Sequence, residues 1–310
     1  MSRRTPLSFP STLPRTARAH GLHFLLRICA WLPLTAARAA GRAAAACAWV
    51  LSPASRRITE RNIRLAFPEL GPQERRRLAR ESFSSTAQTA CEMGHVWLRD
   101  IRHVKGLILE VSGEDAVRSA LASGQGVVVL GPHLGNWEVL GLHLASVGSL
   151  VSLYEPPHMQ ELGGLLRSAR ERSGAQLVPP TPRGLAALVR SVREGQISGI
   201  LPDQVPRALN AGLNVSFMNI PCFTGTLASK VIQRSAAFAV FGFAQRVKGG
   251  FSIRFLPAEE DIYSADLERS VAALNRGVEA CLRFCPEQYQ WEYKRFRQRP
   301  AACPDHYENL

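Results

Sequence analysis

From residue 114 to residue 284 the sequence alternates between short apolar runs and stretches of helical periodicity, and this alternation restricts the possible folds more than any other feature. The runs at 127–130, 150–154, 197–201, 237–243 and 251–256 are compact and rich in β-branched or aromatic residues, as strands covered on both faces are. Between them, 114–122, 136–145, 162–172, 182–193, 224–234 and 267–284 repeat apolar residues every three or four positions. Strand followed by helix, repeated, predicts an α/β domain with a central, mainly parallel sheet flanked by helices on both faces. Ligands of such sheets gather at the carboxyl ends of the strands, which singles out 131–138, 154–157 and 202–204.

Charge is distributed very unevenly over the 310 residues. Residues 1–80 hold 15 Arg and no Lys against Glu60, Glu69 and Glu74, a net of +12, whereas residues 81–310 hold 23 basic and 22 acidic residues, a net of +1. A neutral body without interleaved basic and aromatic residues speaks against nucleic acid as the partner. The basic front end contains an Ala-rich apolar stretch, 22–51, interrupted by Arg27, Pro33, Arg38 and Arg42. A membrane crossing needs about 20 apolar residues, and an arginine at the bilayer centre costs roughly 2.5–3.5 kcal/mol. The stretch is therefore expected to lie in the headgroup layer with its arginines reaching lipid phosphates, on the cytoplasmic side that Arg-rich flanks favour. A buried core helix is the alternative. A secretory signal opening on Ser2-Arg3-Arg4 is disfavoured by the arginines inside the apolar run. The expected organisation is a tail and anchoring helix at 1–52 and one catalytic domain at 53–310. That domain opens with a basic linker and short helix, a turn at 68–72 and a helix to about Arg99.

Seven scattered cysteines give no disulfide framework and suit a reducing compartment. Cys281 and Cys285, one helical turn apart, lack further ligands at metal spacing and read as core residues. His143 and His158 read as structural or exposed, Gly124-Gln125-Gly126 lacks the third glycine of a dinucleotide loop, and neither metal nor cofactor is expected.

The segment carrying chemistry is Gly-Pro-His-Leu-Gly-Asn-Trp-Glu, 131–138. Gly131-Pro132 ends the apolar run, so His133 falls in the loop leaving a buried strand. Five residues of continuous helix would set His133 and Glu138 about 140° apart. They can meet only if His133 precedes the helix, with Asn136 as cap and Glu138 in the first turn reaching back to the imidazole. A carboxylate-held imidazole is a competent general base for a hydroxyl. The bland alternative is a loop histidine beside a carboxylate favoured by the helix dipole.

The segment resembles the His-x-x-x-x-Asp/Glu motif of the glycerolipid acyltransferase superfamily, and its fuller His-x-Gly-Asn-Trp-Glu form resembles the bacterial lipid A late acyltransferases, the lauroyl and myristoyl transferases. The stretches Asn62-Ile63-Arg64-Leu65-Ala66-Phe67-Pro68-Glu69, Tyr154-Glu155-Pro156-Pro157, Leu201-Pro202-Asp203-Gln204 and 286–296 resemble further elements of that family in the same order. The resemblance implies a glycerol-3-phosphate-acyltransferase-like fold. It also implies an acyl-carrier-protein thioester as donor and co-substrate, a lipid A precursor hydroxyl as acceptor, and work at the cytoplasmic face of the inner membrane. It assigns His133 as general base and Glu138 as its orienting partner, and puts Asp203 at the site; the residues alone favour a turn or cap at a strand end for Asp203. Family members commonly carry Arg where this chain has Glu155, which leaves the oxyanion or phosphate role open: Arg167, Arg170, or the backbone N–H groups of Gly135 and Asn136 are the candidates, and an exposed helical arginine is the bland alternative for either side chain. The motifs leave open another acceptor lipid, such as an ornithine lipid, a mannoside or a glycerol phosphate, and a non-catalytic basic membrane-binding homologue.

Overall fold

A computed structural model describes residues 15–156, 163–308 and 310. Strands β1 (Ile108–Ser112), β2 (Val127–Leu130), β3 (Leu150–Leu153), β4 (Gln176–Val178), β5 (Ile197–Ile200), β8 (Phe238–Val247) and β9 (Gly250–Pro257) form one sheet in the order β1-β9-β8-β2-β5-β3-β4. Every neighbouring pair is parallel except β8 with β9. A separate antiparallel hairpin joins β6 (Gly212–Phe217) and β7 (Ile220–Gly225).

Alternation along the central strands buries both faces. Val128 and Leu130 of β2 point into a core shared with α9 (Pro182–Arg193), α10 (Leu227–Ser235) and α11 (Leu267–Leu282). Val127 and Val129 point into a second core, shared with α4 (Pro72–Leu98), α5 (Ile101–Gly106), α6 (Asp115–Ala122) and α7 (Trp137–Val147). The expected mainly parallel sheet between helical layers is the observed architecture.

The front end differs from the expectation of one helix. Pro33 divides it into α1 (Arg15–Trp31) and α2 (Leu34–Leu51), with α3 (Pro53–Ala66) following, because proline removes a helical donor and clashes with the preceding turn. Both pack on α4 and bury Leu26, Ala30, Leu34, Ala37, Gly41 and Ala45. Gly41 permits this approach, since a Cβ there would lie 2.8 Å from Gln88 Cα. Arg38 does not reach toward headgroups. Its Nε donates to the fully buried Glu92 at 2.6 Å, and its other nitrogens donate to the Val247 and Gly250 carbonyls. Arg246 shares Glu92, and this doubly paired carboxylate ties α2, α4 and the sheet together. Arg27 and Arg42 remain exposed. Among the described residues no helix is long and apolar enough to cross a membrane. Ser2-Arg3-Arg4, Pro157, His158 and the first residue of the helix expected at 162–172 lie outside the described residues.

Candidate active site

Two parallel neighbours create the site. β2 and β5 pair with Leu130 opposite Ile200, and the Gly131 N–H extends the ladder to the Ile200 carbonyl. Three residues past those partners the chains have become His133 and Asp203. The imidazole Nδ1 lies 2.8 Å from Asp203 Oδ1, and the His133 backbone N–H donates to Oδ2 at 2.9 Å. The Asp203 side chain is 2% exposed and that of His133 14%, so the carboxylate is interior while the ring reaches the surface. Burial opposes the charge on Asp203, but the imidazole and the backbone N–H outweigh it and hold the carboxyl below its ordinary range.

Glu138 is therefore not the partner of His133, which corrects the pairing inferred from sequence. His133 does precede the helix: Asn136 caps α7, its Oδ1 accepting the Val139 N–H. But the Trp137 ring packs on the imidazole with centroids 5.0 Å apart, and Glu138 turns to α8 (Gly163–Glu171). There Arg170 binds it through two bonds, Nη2 to Oε1 at 2.5 Å and Nε to Oε2 at 3.1 Å. Arg170 also lies over the Tyr154 ring, and the Tyr154 hydroxyl donates to the Gly163 carbonyl at the start of the same helix. Burial works against the Arg170 charge, yet Glu138 more than offsets it.

The backbone donors proposed for an oxyanion are occupied. The Gly135 N–H donates to the Gln288 carbonyl at 3.0 Å, and the Asn136 N–H to the Ala244 carbonyl at 2.8 Å. Both serve to clamp residues 131–136 between β8 and the segment 286–291, because a buried N–H without a partner is costly. Gly135 is obligatory here: its φ is +63°, and a Cβ would stand 2.1 Å from the Ala244 oxygen. Asn136 is fully buried with its amide on Glu92, so it is structural. Of the two arginines named from sequence, Arg170 is in the site with Nη1 unbonded among the described residues, whereas Arg167 sits at the rim beside Glu171 and over Tyr154. Glu155 pairs with Arg207 at 2.9 Å on the surface.

Sequence reasoning overlooked Gln204, whose amide nitrogen is 3.1 Å from His133 Nε2, and Trp137, which separates His133 from a narrow apolar cavity. The cavity holds about 90 Å³ and runs beside Glu138 and Arg170, lined by Trp137, Leu140, Leu144, Leu150 and Leu153 among others. His143 bonds Glu114 outside this site, and burial pushes the Cys281 and Cys285 thiols up, away from the thiolate a metal would need.

The sequence matches the family described as bacterial lipid A biosynthesis acyltransferase over residues 10–298. The chain belongs to this family. Among its relatives, the lipid A biosynthesis lauroyltransferase of Escherichia coli K12 is 26% identical over 256 residues, covering 81% of this chain and 82% of that protein. The palmitoleoyltransferase of the same organism is 24% identical over 247 residues, 79% of each chain. Its myristoyltransferase is 22% identical over 251 residues, covering 80% of this chain and 77% of that protein. This lipid A acyltransferase homologue is thus an acyltransferase, and the assembly of His133, Asp203, Glu138 and Arg170 lies within the matched region.

Proposed function

We propose that this chain transfers a fatty acyl group from an acyl-carrier-protein thioester to a hydroxyl of a lipid A precursor, at the cytoplasmic face of the inner membrane. The acceptor hydroxyl takes the place of the Gln204 amide at His133 Nε2 and gives its proton to that nitrogen, while Asp203 fixes the ring through Nδ1. The acceptor oxygen attacks the thioester carbonyl and the C–S bond breaks. The imidazolium returns its proton to the departing carrier thiolate. Arg170, anchored by Glu138, offers Nη1 to the oxyanion, a donor of a kind worth about 3–4 kcal/mol in such sites. The apolar cavity receives the acyl chain. At about 90 Å³ it is well below the roughly 300–1,000 Å³ of small-molecule sites, so Trp137 and its leucine neighbours must part to admit a full chain.

The observation that carries this reading is the 2.8 Å contact of His133 Nδ1 with a buried carboxylate, leaving Nε2 toward an exposed side chain. Residence at the membrane is supported by exposed Phe24, Trp31, Val50 and Leu51 on the α1–α2 pair, among the front-end arginines. The test is incubation of purified protein with acyl carrier protein charged with medium and long fatty chains and a tetra-acylated lipid A precursor. A product heavier by one acyl group, lost in His133→Ala, supports the reading; undiminished transfer in His133→Ala overturns it.

A further inference from the structure

Between them, α2 and α4 leave a groove of about 350 Å³ lined by Arg42, Ala45, Ala46, Trp49, Arg80, Phe83 and Ser84. The helices run antiparallel, with Arg38 beside Glu92, Gly41 beside Gln88 and Trp49 beside Phe83. Trp49 is half-buried in the groove lining, its ring edge-to-face with Phe83 at 5.5 Å and the Arg56 and Arg80 guanidiniums each 5.9 Å from its centroid. Among the described residues neither Arg42 nor Arg80 has a carboxylate within 4 Å; Arg42 donates only to the Gln88 side chain. Two exposed guanidiniums thus face one small apolar cleft, and the exposed Ala46, Val50 and Leu51 continue from its edge.

We propose that this groove binds an anionic phospholipid, its phosphate between Arg42 and Arg80 and its acyl chain passing over Trp49 and Ala46 toward Val50 and Leu51. The proposal rests on the membrane residence argued under Proposed function. Planar guanidiniums with spare N–H groups match phosphate oxygens, and Ser84 places a hydroxyl at the same cleft. The volume is that of a small-molecule site, which falls in the range of roughly 300–1,000 Å³. An acidic protein surface would satisfy the arginines but leave the recessed Trp49 and Phe83 uncovered, so the lining favours a lipid. No lining residue is shared with the catalytic cavity, so a bound lipid would orient the enzyme on the bilayer without blocking the site.

The test is sedimentation of the full chain with vesicles of phosphatidylcholine, alone or with about one fifth phosphatidylglycerol. Arg42→Gln/Arg80→Gln is compared with Arg76→Gln/Arg77→Gln, which removes the same charge from exposed positions of α4 outside the groove. The groove variant is expected to lose about tenfold of the preference for anionic vesicles. The control should lose much less, and both should keep the wild-type transfer rate in detergent micelles. Equal losses in the two variants, or none in the groove variant, would overturn the site while leaving membrane residence intact. Wild type that sediments with neither vesicle would overturn both. Competition by millimolar inorganic phosphate in place of lipid, or loss of acyl-carrier-protein binding with vesicle binding unchanged, would assign the arginines to another ligand and overturn the proposal.

Discussion

Asp203 holds two donors of one residue, the backbone N–H and the ring of His133, so it fixes the loop and the tautomer together. The neighbouring glycine is just as constrained. Gly135→Ala must abandon φ +63° or collide with the Ala244 oxygen, and is expected to destabilise the chain by about 3 kcal/mol or more, read as a lowered urea midpoint. Gln204 is different in kind, because it is exposed and occupies the His133 Nε2 position proposed for the acceptor hydroxyl. Gln204→Ala is therefore expected to keep kcat within about threefold of wild type in steady-state kinetics. His133, Glu138, Asp203 and Arg170 were all visible in the sequence, but not which of them pair. Which carboxylate lies beside the imidazole depends on β5 being the neighbour of β2, and Asp203 is 70 residues further along the chain. Pro-Asp-Gln at the end of an apolar run was the available signal.

The segment after α11 closes the molecule by bonding the loop that carries His133 and α4 at once. Within it Glu292 is buried, accepting from Thr86 at 2.7 Å and Ser82 at 3.5 Å, and burial pushes its carboxyl up to about 7. Between its ordinary value and about 7 the unfolded chain has released a proton that the folded chain still binds, so stability falls as pH rises through that window and then levels. Glu292→Gln should flatten this fall and gain about 1–3 kcal/mol at pH 8 with little change at pH 4, measured by urea unfolding at the two pH values. Strands β2, β3, β5, β8 and β9 were legible because each is an apolar run of its own. β1 was not, since Leu109, Glu110 and Val111 of this edge strand are exposed, and β4 is three residues long. The β6–β7 hairpin turns through Met218 and Asn219 at φ +51° and +60° with no glycine to signal it; the Met218 N–H is held by Glu279.

Across the whole molecule, the basic front end is part of the packed structure as well as the face expected to meet lipid. Its apolar and arginine content was plain in the sequence, but the burial of Arg38 was not, because its carboxylate lies 54 residues away on α4. Glu92→Gln would leave two buried guanidiniums without a counter-charge and is expected to cost about 3–5 kcal/mol, visible in thermal unfolding. A chain starting at residue 53 would uncover the α4 face that α1 and α2 now bury, so its melting temperature should drop as its vesicle binding does.

Asp203, not Glu138, is the carboxylate proposed to make His133 a base. Transfer rates of His133→Ala, Asp203→Asn and the double variant test it most directly. The pairing predicts that Asp203→Asn alone lowers kcat by about a thousandfold and that adding it to His133→Ala costs almost nothing more. An Asp203→Asn enzyme working near the wild-type rate, or losses that multiply in the double variant, would contradict it.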